Sequence, residues 1–446
     1  MATRCSDRTD IPVRRGGGCA FCGAKMSLQP IVDAVHLIHG PMICLGHSWD
    51  SRPTASSGSR LHRTNFTTSL TEMDIALGGE RKLAGAIDSA VDRHDPAAVF
   101  VYQTCVPAMI GDDLAAICRA AAGRVGRPVV PVDLSGLNGG KDHGTRAAGD
   151  VLLDHVIGTR EPERLTDTDI ILIGEYNVAG ELGHIRALLA ELGLRVLASI
   201  PGDGRYAAIA GSHRARAAIT FCSRAFDGLA EAMRDRYGIP FIHGSFYGSA
   251  NISATLRGIA ALLVERGAPS DLSARTEALI RREEARIESS LAPIRQRLRG
   301  KRALLGTGGV KSWSLVAALQ QIGLDVVGTS VTKSSTDECR RAAGLAGADR
   351  LTAGLDFDRL GLGGIDVVLS GGIHRLKAIR AGAAWVEVNH ERRLALTGYD
   401  GTLRLAAAIE AAITHPLAAG STDRPPWERT DREQKADRIG TEAKAG

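Results

Sequence analysis

The sequence has few aromatic residues and little net charge, and both features argue against a nucleic-acid-binding protein. Phe, Trp and Tyr together make up 4% of the 446 residues, so few rings are present to stack on bases. The formal net charge is only +5, and the basic residues form no clustered stripe. The remaining composition, with 44% hydrophobic and 24% charged residues, is that of an ordinary globular protein.

Long hydrophobic runs are also lacking. No segment approaches the ~20 consecutive apolar residues that a membrane-spanning helix needs. The first residues, 1–10, do not have the layout of a signal peptide. We therefore expect a cytoplasmic protein without membrane contact, in which cysteines serve as thiols or metal ligands more often than as disulfides.

The length and the hydrophobic pattern indicate several α/β domains. A chain of 446 residues corresponds to about three domains at ~150 residues each. Short apolar runs alternate with amphipathic segments, which predicts parallel sheets covered by helices. The predicted strands are 97–102, 129–132, 170–173, 196–200, 217–221, 303–305, 326–329, 367–370 and 385–388. The predicted helices include 113–123, 185–192, 225–237, 312–322 and 402–414.

Changes in composition suggest the domain boundaries. A charged stretch at 270–299 predicts a solvated connecting helix and gives a boundary near residue 300, and a second boundary is expected near residue 166. The predicted organisation is a flexible N-terminal arm at 1–18, α/β domains at 19–165, 166–299 and 300–416, and a polar C-terminal tail at 417–446.

Three of the eight cysteines, Cys19, Cys44 and Cys105, lie at turns or just beyond a strand. Ligands of open α/β sheets bind beyond the carboxyl ends of the strands, so thiols at such places can converge. Thiolates suit iron–sulfur clusters, and a cubane cluster takes four of them, so three predict a partner subunit that completes the set. For any single cysteine, a buried structural thiol is the better interpretation.

The other candidate ligands are less specific. Cys19 and Cys22 form a Cys-x-x-Cys pair, but the chain has no second pair and no thioredoxin-like context, which disfavours both a zinc site and a redox dithiol. Cys222 lies between a predicted strand and the following helix, far along the chain, and so suggests a second site. His390 follows the last predicted strand, where a lone histidine is more often a hydrogen-bonded residue than a ligand.

A glycine-rich loop at 306–312 connects a predicted strand to a helix. Its sequence, GTGGVKS, lacks the spacing of a nucleotide-binding phosphate loop, so we see no self-contained ATP site. Backbone amides at the helix start, together with Lys311, predict a cationic rim for a phosphate or a sulfide-rich cluster, and an ordinary tight turn is equally well supported. Arg52, Lys141 and His143 lie in Gly- or Ser-rich loops, where functional side chains and solvated charges both accumulate.

These motifs together resemble the α-type subunits of the nitrogenase component-1 superfamily, over residues 16–415. Within the superfamily, they are most similar to the α subunit of the scaffold on which the iron–molybdenum cofactor matures. The matching stretches are 18–21, 39–44, 48–52, 99–105, 110–113, 154–160, 174–177, 202–206, 237–240 and 307–313.

The resemblance implies three Rossmann-like, doubly wound parallel-sheet domains, two metal centres and two protein partners. One implied centre is an iron–sulfur cluster, a P-cluster or a 4Fe-4S cluster, shared with a β-type subunit of an α2β2 heterotetramer. The other is a large nitrogenase-type iron–sulfur cofactor or its precursor, and an ATP-hydrolysing iron protein supplies electrons. The implied residues are Cys19, Cys44 and Cys105 for the shared cluster, Cys222 and His390 as ligands of the cofactor, Gly308, Gly309 and Lys311 against it, and Arg52, Lys141 and His143 around its pocket.

Departures from the scaffold pattern bear on function. The chain has Cys22, Ser51 and His390 where scaffold subunits have Asp, Asn and Gln. Because an imidazole can anchor a cluster more permanently than an amide, these departures favour a nitrogenase-like reductase acting on a small-molecule substrate. The chain also resembles the methylthio-alkane reductases, and this resemblance implies methylthio-alkane C–S bond reduction as the first choice. The alternative is the cofactor-assembly scaffold. A double-bond reductase of the tetrapyrrole type is disfavoured, since such enzymes need no thiolate equivalent to Cys222.

Overall fold

The computed structural model describes residues 18–49, 64–221, 225–332, 334–352, 354, 363–389 and 394–414. Arg52, Cys222 and His390 lie outside these residues, as does the predicted C-terminal tail. Within this part of the chain, every helix is too short or too polar to cross a membrane.

Three separate parallel sheets confirm the predicted α/β fold. The first has strand order β2-β1-β3-β4, the second β6-β5-β7-β8, and the third β11-β10-β9-β12-β13. The strands are β1 (Ala34–His39), β2 (Asn65–Thr67), β3 (Ala98–Gln103), β4 (Val129–Val132), β5 (Asp169–Glu175), β6 (Arg195–Pro201), β7 (Ala217–Thr220), β8 (Phe241–His243), β9 (Arg302–Gly306), β10 (Asp325–Ser330), β11 (Leu351–Thr352), β12 (Val367–Ser370) and β13 (Ala384–Glu387).

Helices cover both faces of these sheets, so each element order follows the β-α-β rhythm expected of doubly wound folds. The helices of the first sheet are α1 (Ala20–Leu28), α2 (Met42–Trp49), α3 (Glu72–Leu77), α4 (Glu80–His94), α5 (Cys105–Ile110), α6 (Leu114–Val125) and α7 (Lys141–His155). Those that follow are α8 (Glu181–Glu191), α9 (Tyr206–Ala210), α10 (Asp227–Tyr237), α11 (Ser249–Glu265), α12 (Leu272–Leu298), α13 (Lys311–Ile322), α14 (Thr336–Ala346), α15 (Arg375–Arg380) and α16 (Tyr399–Thr414).

Continuous hydrophobic cores join neighbouring sheets. One core combines side chains of the first and second sheets, including Phe100 and Ile171. A larger core combines the second and third sheets, including Leu172 and Leu305. The predicted domain boundaries fall between the sheets, and they remain predictions.

Helix α12 is long, as the charged stretch predicts, but it is not simply solvated. Leu279, Ile280, Ile287 and Leu291 form a stripe that is at most 4% exposed. The spacing of this stripe follows the helical period, so one face packs into the core while the Arg and Glu residues occupy the other. The expectation of a solvated helix is therefore wrong, because one face of α12 is apolar and buried although most of its residues are charged or polar.

Two glycines allow helices α1 and α7 to cross at very close range. A methyl group on Gly23 would lie 2.0 Å from the carbonyl oxygen of Lys141, and one on Gly144 would lie 1.8 Å from that of Ala20. No side chain fits in either place, so the helix backbones are in contact. This crossing fixes the start of α1, and with it Cys19, against the start of α7.

Candidate functional site

Cys44 and Cys105 are brought together by adjacent parallel strands. β1 and β3 pair along their whole length and end at the His39–Gln103 pair. Cys44 lies in α2 after β1, and Cys105 is the first residue of α5 after β3. Because parallel strands end at the same edge of a sheet, both thiols lie at that edge.

Cys19 lies close to Cys105, next to Gly136. It forms an isolated antiparallel bridge with Gly140, and the amide of Ala20 donates to the carbonyl oxygen of Gly139 at 2.9 Å. A methyl group on Gly136 would lie 2.7 Å from Sγ of Cys105 and 3.7 Å from Sγ of Cys19. Cys19 and Cys105 thus meet at Gly136, and we call these two residues together with Cys44 the cysteine site.

The electrostatics of the three thiols show that they are mutually close. Burial raises the pKa of Cys44, a hydrogen bond with Thr104 opposes this, and negative charge on Cys19 or Cys105 raises the pKa further. All three are free and half-buried. The site therefore holds three thiols that interact electrostatically and that a ligand can reach.

Cys22 adds a fourth thiol beside Cys19, at an Sγ–Sγ distance of 3.8 Å. A hydrogen bond between these thiols lowers the pKa of Cys19 to about 6, and together with burial it raises the pKa of Cys22. Lys25, on the next turn of α1, is 1% exposed and donates to Oε1 of Gln29 at 2.8 Å. Burial lowers the pKa of Lys25 to about 8, and the nearby Cys22 opposes this shift. Sequence reasoning did not identify this buried lysine, which one turn of helix places beside the cysteines.

A buried polar network connects the two chain segments that carry Cys44 and Cys105. Nε2 of His39 lies 2.9 Å from Oδ2 of Asp112, and its Nδ1 lies 3.1 Å from Oγ1 of Thr68. The amide of Gly79 donates to the other carboxylate oxygen of Asp112 at 3.1 Å. Oγ1 of Thr104 donates to the carbonyl oxygen of His39 at 2.9 Å, so the network connects the segments that carry Cys44 and Cys105.

Lys141 and His143 lie at this site, on the first turn of α7. A methyl group on Gly18 would touch both Sγ of Cys22 at 3.2 Å and Cδ of Lys141 at 4.0 Å. His143 is exposed, and its ring packs next to Gly139. The structure thus brings these residues to the cysteine site, whereas the resemblance implies a role around the second pocket, which stays a prediction.

An exposed apolar rim surrounds the cysteine site. Met42 and Ile43, beside Cys44 on α2, are 57% and 74% exposed, and Met109, on the same helix as Cys105, is 74% exposed. Leu137, next to Gly136, is 64% exposed. Large apolar side chains clustered in this way are typical of a surface that another protein covers.

The cysteine site fits a polynuclear cluster better than a single ion. Among the residues described, no three His, Cys, Asp or Glu side chains lie close enough to hold one metal ion. Cys19 and Cys105 instead approach each other at Gly136, Cys44 interacts electrostatically with both, and thiolates are the ligands that iron–sulfur clusters take. The donor set is consistent with such a cluster, and Lys25 and Lys141 lie where positive charge would balance it.

The glycine loop (306–312) joins β9 to α13 in the third sheet. A methyl group on Gly308 would lie 1.6 Å from the carbonyl oxygen of Thr332, so the loop backbone packs directly on the neighbouring strand connection. Gly309 has φ +61° and donates its amide to Oγ of Ser334 at 3.1 Å. Lys311 is 9% exposed and donates to the carbonyl oxygen of Val388 at 2.9 Å, so it lies inside the protein instead of on an open rim.

Glu175, at the end of β5 in the second sheet, interacts electrostatically with Lys311. Burial raises the pKa of Glu175, at the end of β5, to about 8; Glu181 adds to this shift and Lys311 opposes it. Nζ of Lys311 lies 5.4 Å from the centre of the Tyr247 ring, and Tyr247 is 4% exposed. Glu181 and Tyr247 were not predicted as site residues, and Glu175 entered only within a matched stretch. An acidic residue directly after a buried strand is the signal that points to Glu175.

The fold and these sites define a class of protein. The family described as nitrogenase component 1 type oxidoreductase matches residues 19–414, and the chain belongs to this family. A solved structure titled Nitrogenase Cp1 at pH 6.5 superimposes with a TM-score of 0.79, covers 94% of this chain and 93% of that one, and is 24% identical in sequence. At this identity the superposition shows the shared fold.

Much closer sequence relatives are named nitrogenase iron-molybdenum cofactor biosynthesis protein NifE. The relative from Bradyrhizobium diazoefficiens is 51% identical, over 94% of this chain and 77% of that protein. The relative from Klebsiella pneumoniae is 46% identical, over 93% of both chains. The relative from Rhodobacter capsulatus is 44% identical, over 95% of this chain and 92% of that protein.

Proposed function

We propose that this chain is the α-type subunit of a scaffold on which the iron–molybdenum cofactor of nitrogenase is assembled. The observation that carries the proposal is the 51% identity, over 94% of the chain, to a protein named for cofactor biosynthesis. This reverses the preference drawn from the sequence. The relatives compared above carry names of cofactor biosynthesis, and none supports methylthio-alkane reduction.

The cysteine site is proposed to hold an iron–sulfur cluster through Cys19, Cys44 and Cys105. Such a cluster, when bound, supplies one-electron transfer. The protein contributes three thiols at one sheet edge, the buried cation of Lys25, and the network of His39 and Asp112 that positions two of the thiols. A cubane cluster takes four thiolates, and Cys22, which is 8% exposed, is not proposed as one of them, so a second chain is proposed to supply the fourth.

A β-type subunit is the proposed second chain, in an α2β2 heterotetramer. The apolar rim carries this proposal, because Met42, Ile43, Met109 and Leu137 are each more than half exposed beside the thiols. Replacing Ile43 with Glu is expected to abolish the heterotetramer in native mass measurements. Ile373, which is 81% exposed in a short 3-10 helix after β12, provides the matched control: Ile373→Glu is expected to leave the assembly intact.

The cofactor precursor is proposed to lie between the second and third sheets, as cargo. Lys311, in the same loop as Gly308 and Gly309 of the third sheet, interacts electrostatically with Glu175 of the second sheet, and this is where the cargo is proposed to bind. Cys222 and His390 remain the proposed cofactor ligands, with Arg52 as a charge-balancing residue. Lys311 has a buried ammonium group, which an anionic cargo would attract more strongly than the carbonyl oxygen of Val388 does.

The alternative is a nitrogenase-like reductase that receives electrons from an ATP-hydrolysing iron protein. Its remaining support is the set of sequence departures at Cys22, Ser51 and His390. Two assays of the complex separate the functions. A scaffold activates a nitrogenase that lacks its cofactor, whereas a reductase given its iron protein and ATP releases methanethiol from a methylthio-alcohol.

The matched variants are Cys44→Ala and Cys118→Ala. Both remove a free thiol from the first domain, but Cys118 is buried in a separate core on α6. We expect Cys44→Ala to lose interface iron and activation of the cofactor-free nitrogenase, while Cys118→Ala keeps both. Turnover of the methylthio-alcohol without activation would refute the scaffold proposal.

A further inference from the structure

The Cys19 and Cys22 thiols have the arrangement of a redox-active dithiol. Cys19 is the N-cap residue of α1, and Cys22 follows on the first turn, with the sulfur atoms 3.8 Å apart. A disulfide has an S–S distance of about 2.05 Å, so the two side chains must rotate to bring the sulfur atoms closer together. The sequence context disfavours a redox dithiol, but the structure places Cys19 and Cys22 at the start of a helix, which is the layout used by thiol–disulfide oxidoreductases.

The surroundings favour this pair over the other thiols of the site. A methyl group on Gly18 would lie 2.8 Å from Cβ of Cys22. Because Gly18 has no side chain, Cys22 can pack beside Cys19. Cys22 is 8% exposed, whereas Cys19 is half-buried and can be reached from outside. Cys19 is thus accessible to an oxidant, and Cys22 is placed to attack the mixed disulfide that forms on Cys19.

We propose that Cys19 and Cys22 form a reversible disulfide in the iron-free chain, which withdraws Cys19 from the cluster ligands. The oxidant is a small-molecule disulfide or a thioredoxin-like protein disulfide. The Cys19 thiolate attacks one sulfur of the oxidant, forms a mixed disulfide and expels the first thiolate. Cys22, losing its proton, then attacks Sγ of Cys19 and expels the second. The pair loses two electrons and two protons, and the oxidant becomes two thiols.

The consequence for cluster loading rests on the proposed function. Of the three thiols of the cysteine site, the disulfide removes Cys19 and leaves Cys44 and Cys105. Two thiols are too few for the share of the cluster that this chain is proposed to supply. Iron uptake therefore becomes dependent on a reductant, and oxidised chains are held back from assembly.

The experiment uses the full-length, iron-free chain equilibrated with reduced and oxidised glutathione. Free thiols are blocked with iodoacetamide, and peptide mass spectrometry locates the disulfide. We expect a Cys19–Cys22 disulfide in the oxidised sample that dithiothreitol removes. Equal alkylation of both cysteines in the oxidised and reduced samples would overturn the proposal, whatever the iron content.

Two variants separate the disulfide from the cluster. Cys22→Ser is expected to take up iron and sulfide equally well with and without prior reduction, as measured by iron content and the visible spectrum. Cys44→Ser is expected to form the disulfide normally and to lose the cluster. A Cys22→Ser protein that still needs reduction would refute the gating role, whereas failure of every variant to bind iron would refute the cluster and leave the disulfide measurement standing.

Discussion

Removal of the Asp112 carboxylate tests whether the buried network holds the cysteine site together. The carboxylate accepts hydrogen bonds from His39 at 2.9 Å and from the Gly79 amide at 3.1 Å, and its side chain is 3% exposed. Burial lowers the pKa of His39, and Asp112 opposes that shift only in part, so the imidazole is neutral and donates from Nε2.

The expected loss of unfolding free energy in Asp112→Ala follows from the two hydrogen-bond donors that lose their acceptor. In Asp112→Ala, the imidazole N–H and the Gly79 amide both stay buried without a partner. Each orphaned donor costs about 1–3 kcal/mol, so the variant is expected to lose about 2–6 kcal/mol of unfolding free energy. Asp112→Asn should lose only about 1 kcal/mol, because the amide oxygen still accepts from Gly79 and His39 can change tautomer to accept from the amide nitrogen.

Urea unfolding of the iron-free chain provides the assay, with the midpoint and the slope fitted separately. Asp92→Ala on the exposed face of α4 is the control and should change stability by less than about 0.5 kcal/mol. The cluster spectrum gives a second reading: Asp112→Ala should load less iron, since His39 and Thr104 no longer hold the segments of Cys44 and Cys105 together. Equal stability of Asp112→Ala and Asp92→Ala would refute the reasoning.

Three further predictions concern single residues. Burial lowers the pKa of His36 from 6.5 to about 3, so the unfolded chain takes up the proton first and stability falls as pH drops through this range. At roughly 1.4 kcal/mol per pKa unit the loss approaches 5 kcal/mol, and urea titrations of His36→Asn should lack this part of the pH dependence. Gly308→Ala should disrupt the glycine loop, detected by faster amide hydrogen exchange, whereas Gly183→Ala, whose methyl group meets nothing within 4 Å, should be neutral or slightly stabilising. Lys25→Met removes a buried charge but also the donor to Oε1 of Gln29 and to the carbonyl oxygen of Ser48, and these effects oppose each other. The free energy of thermal unfolding of the iron-free chain should therefore change by less than about 2 kcal/mol, and a larger change would contradict this.

The strands that the sequence predicts well are the continuously apolar ones. β4 and β12 have the predicted bounds, and β5 extends beyond its predicted bounds by Asp169 at one end and by Gly174 and Glu175 at the other. β1 was not among the predicted strands, because His36 and His39 interrupt its apolar run. Both histidines are fully buried and hydrogen-bonded, to Tyr102 and Asp112 respectively. Only the tertiary structure provides those partners, so the periodicity of the sequence could not reveal this strand.

The sequence predicted the residues of the cysteine site more completely than those around Lys311 and Glu175. The three thiols of the cysteine site each follow a strand or begin a helix of the first domain, and topology alone predicts that such positions meet. Glu175, Tyr247 and Lys311 come from two sheets, and their proximity depends on how the sheets pack. No local pattern encodes that packing, which explains why Glu181 and Tyr247 went unnoticed.

This difference bears on what separates a scaffold from a reductase. Both functions need a cluster at the cysteine site, so Cys19, Cys44 and Cys105 cannot distinguish them. A scaffold must release its cargo, and the strength of retention depends on the residues that cross between the second and third sheets. Lys311 is held by Val388 of its own domain and faces Glu175 of the neighbouring one, where burial favours the neutral carboxyl. If the chain is the proposed scaffold, retention of an anionic cargo would depend on the charge balance between Lys311 and Glu175, and substitutions there should change cargo release while leaving the proposed interface cluster intact.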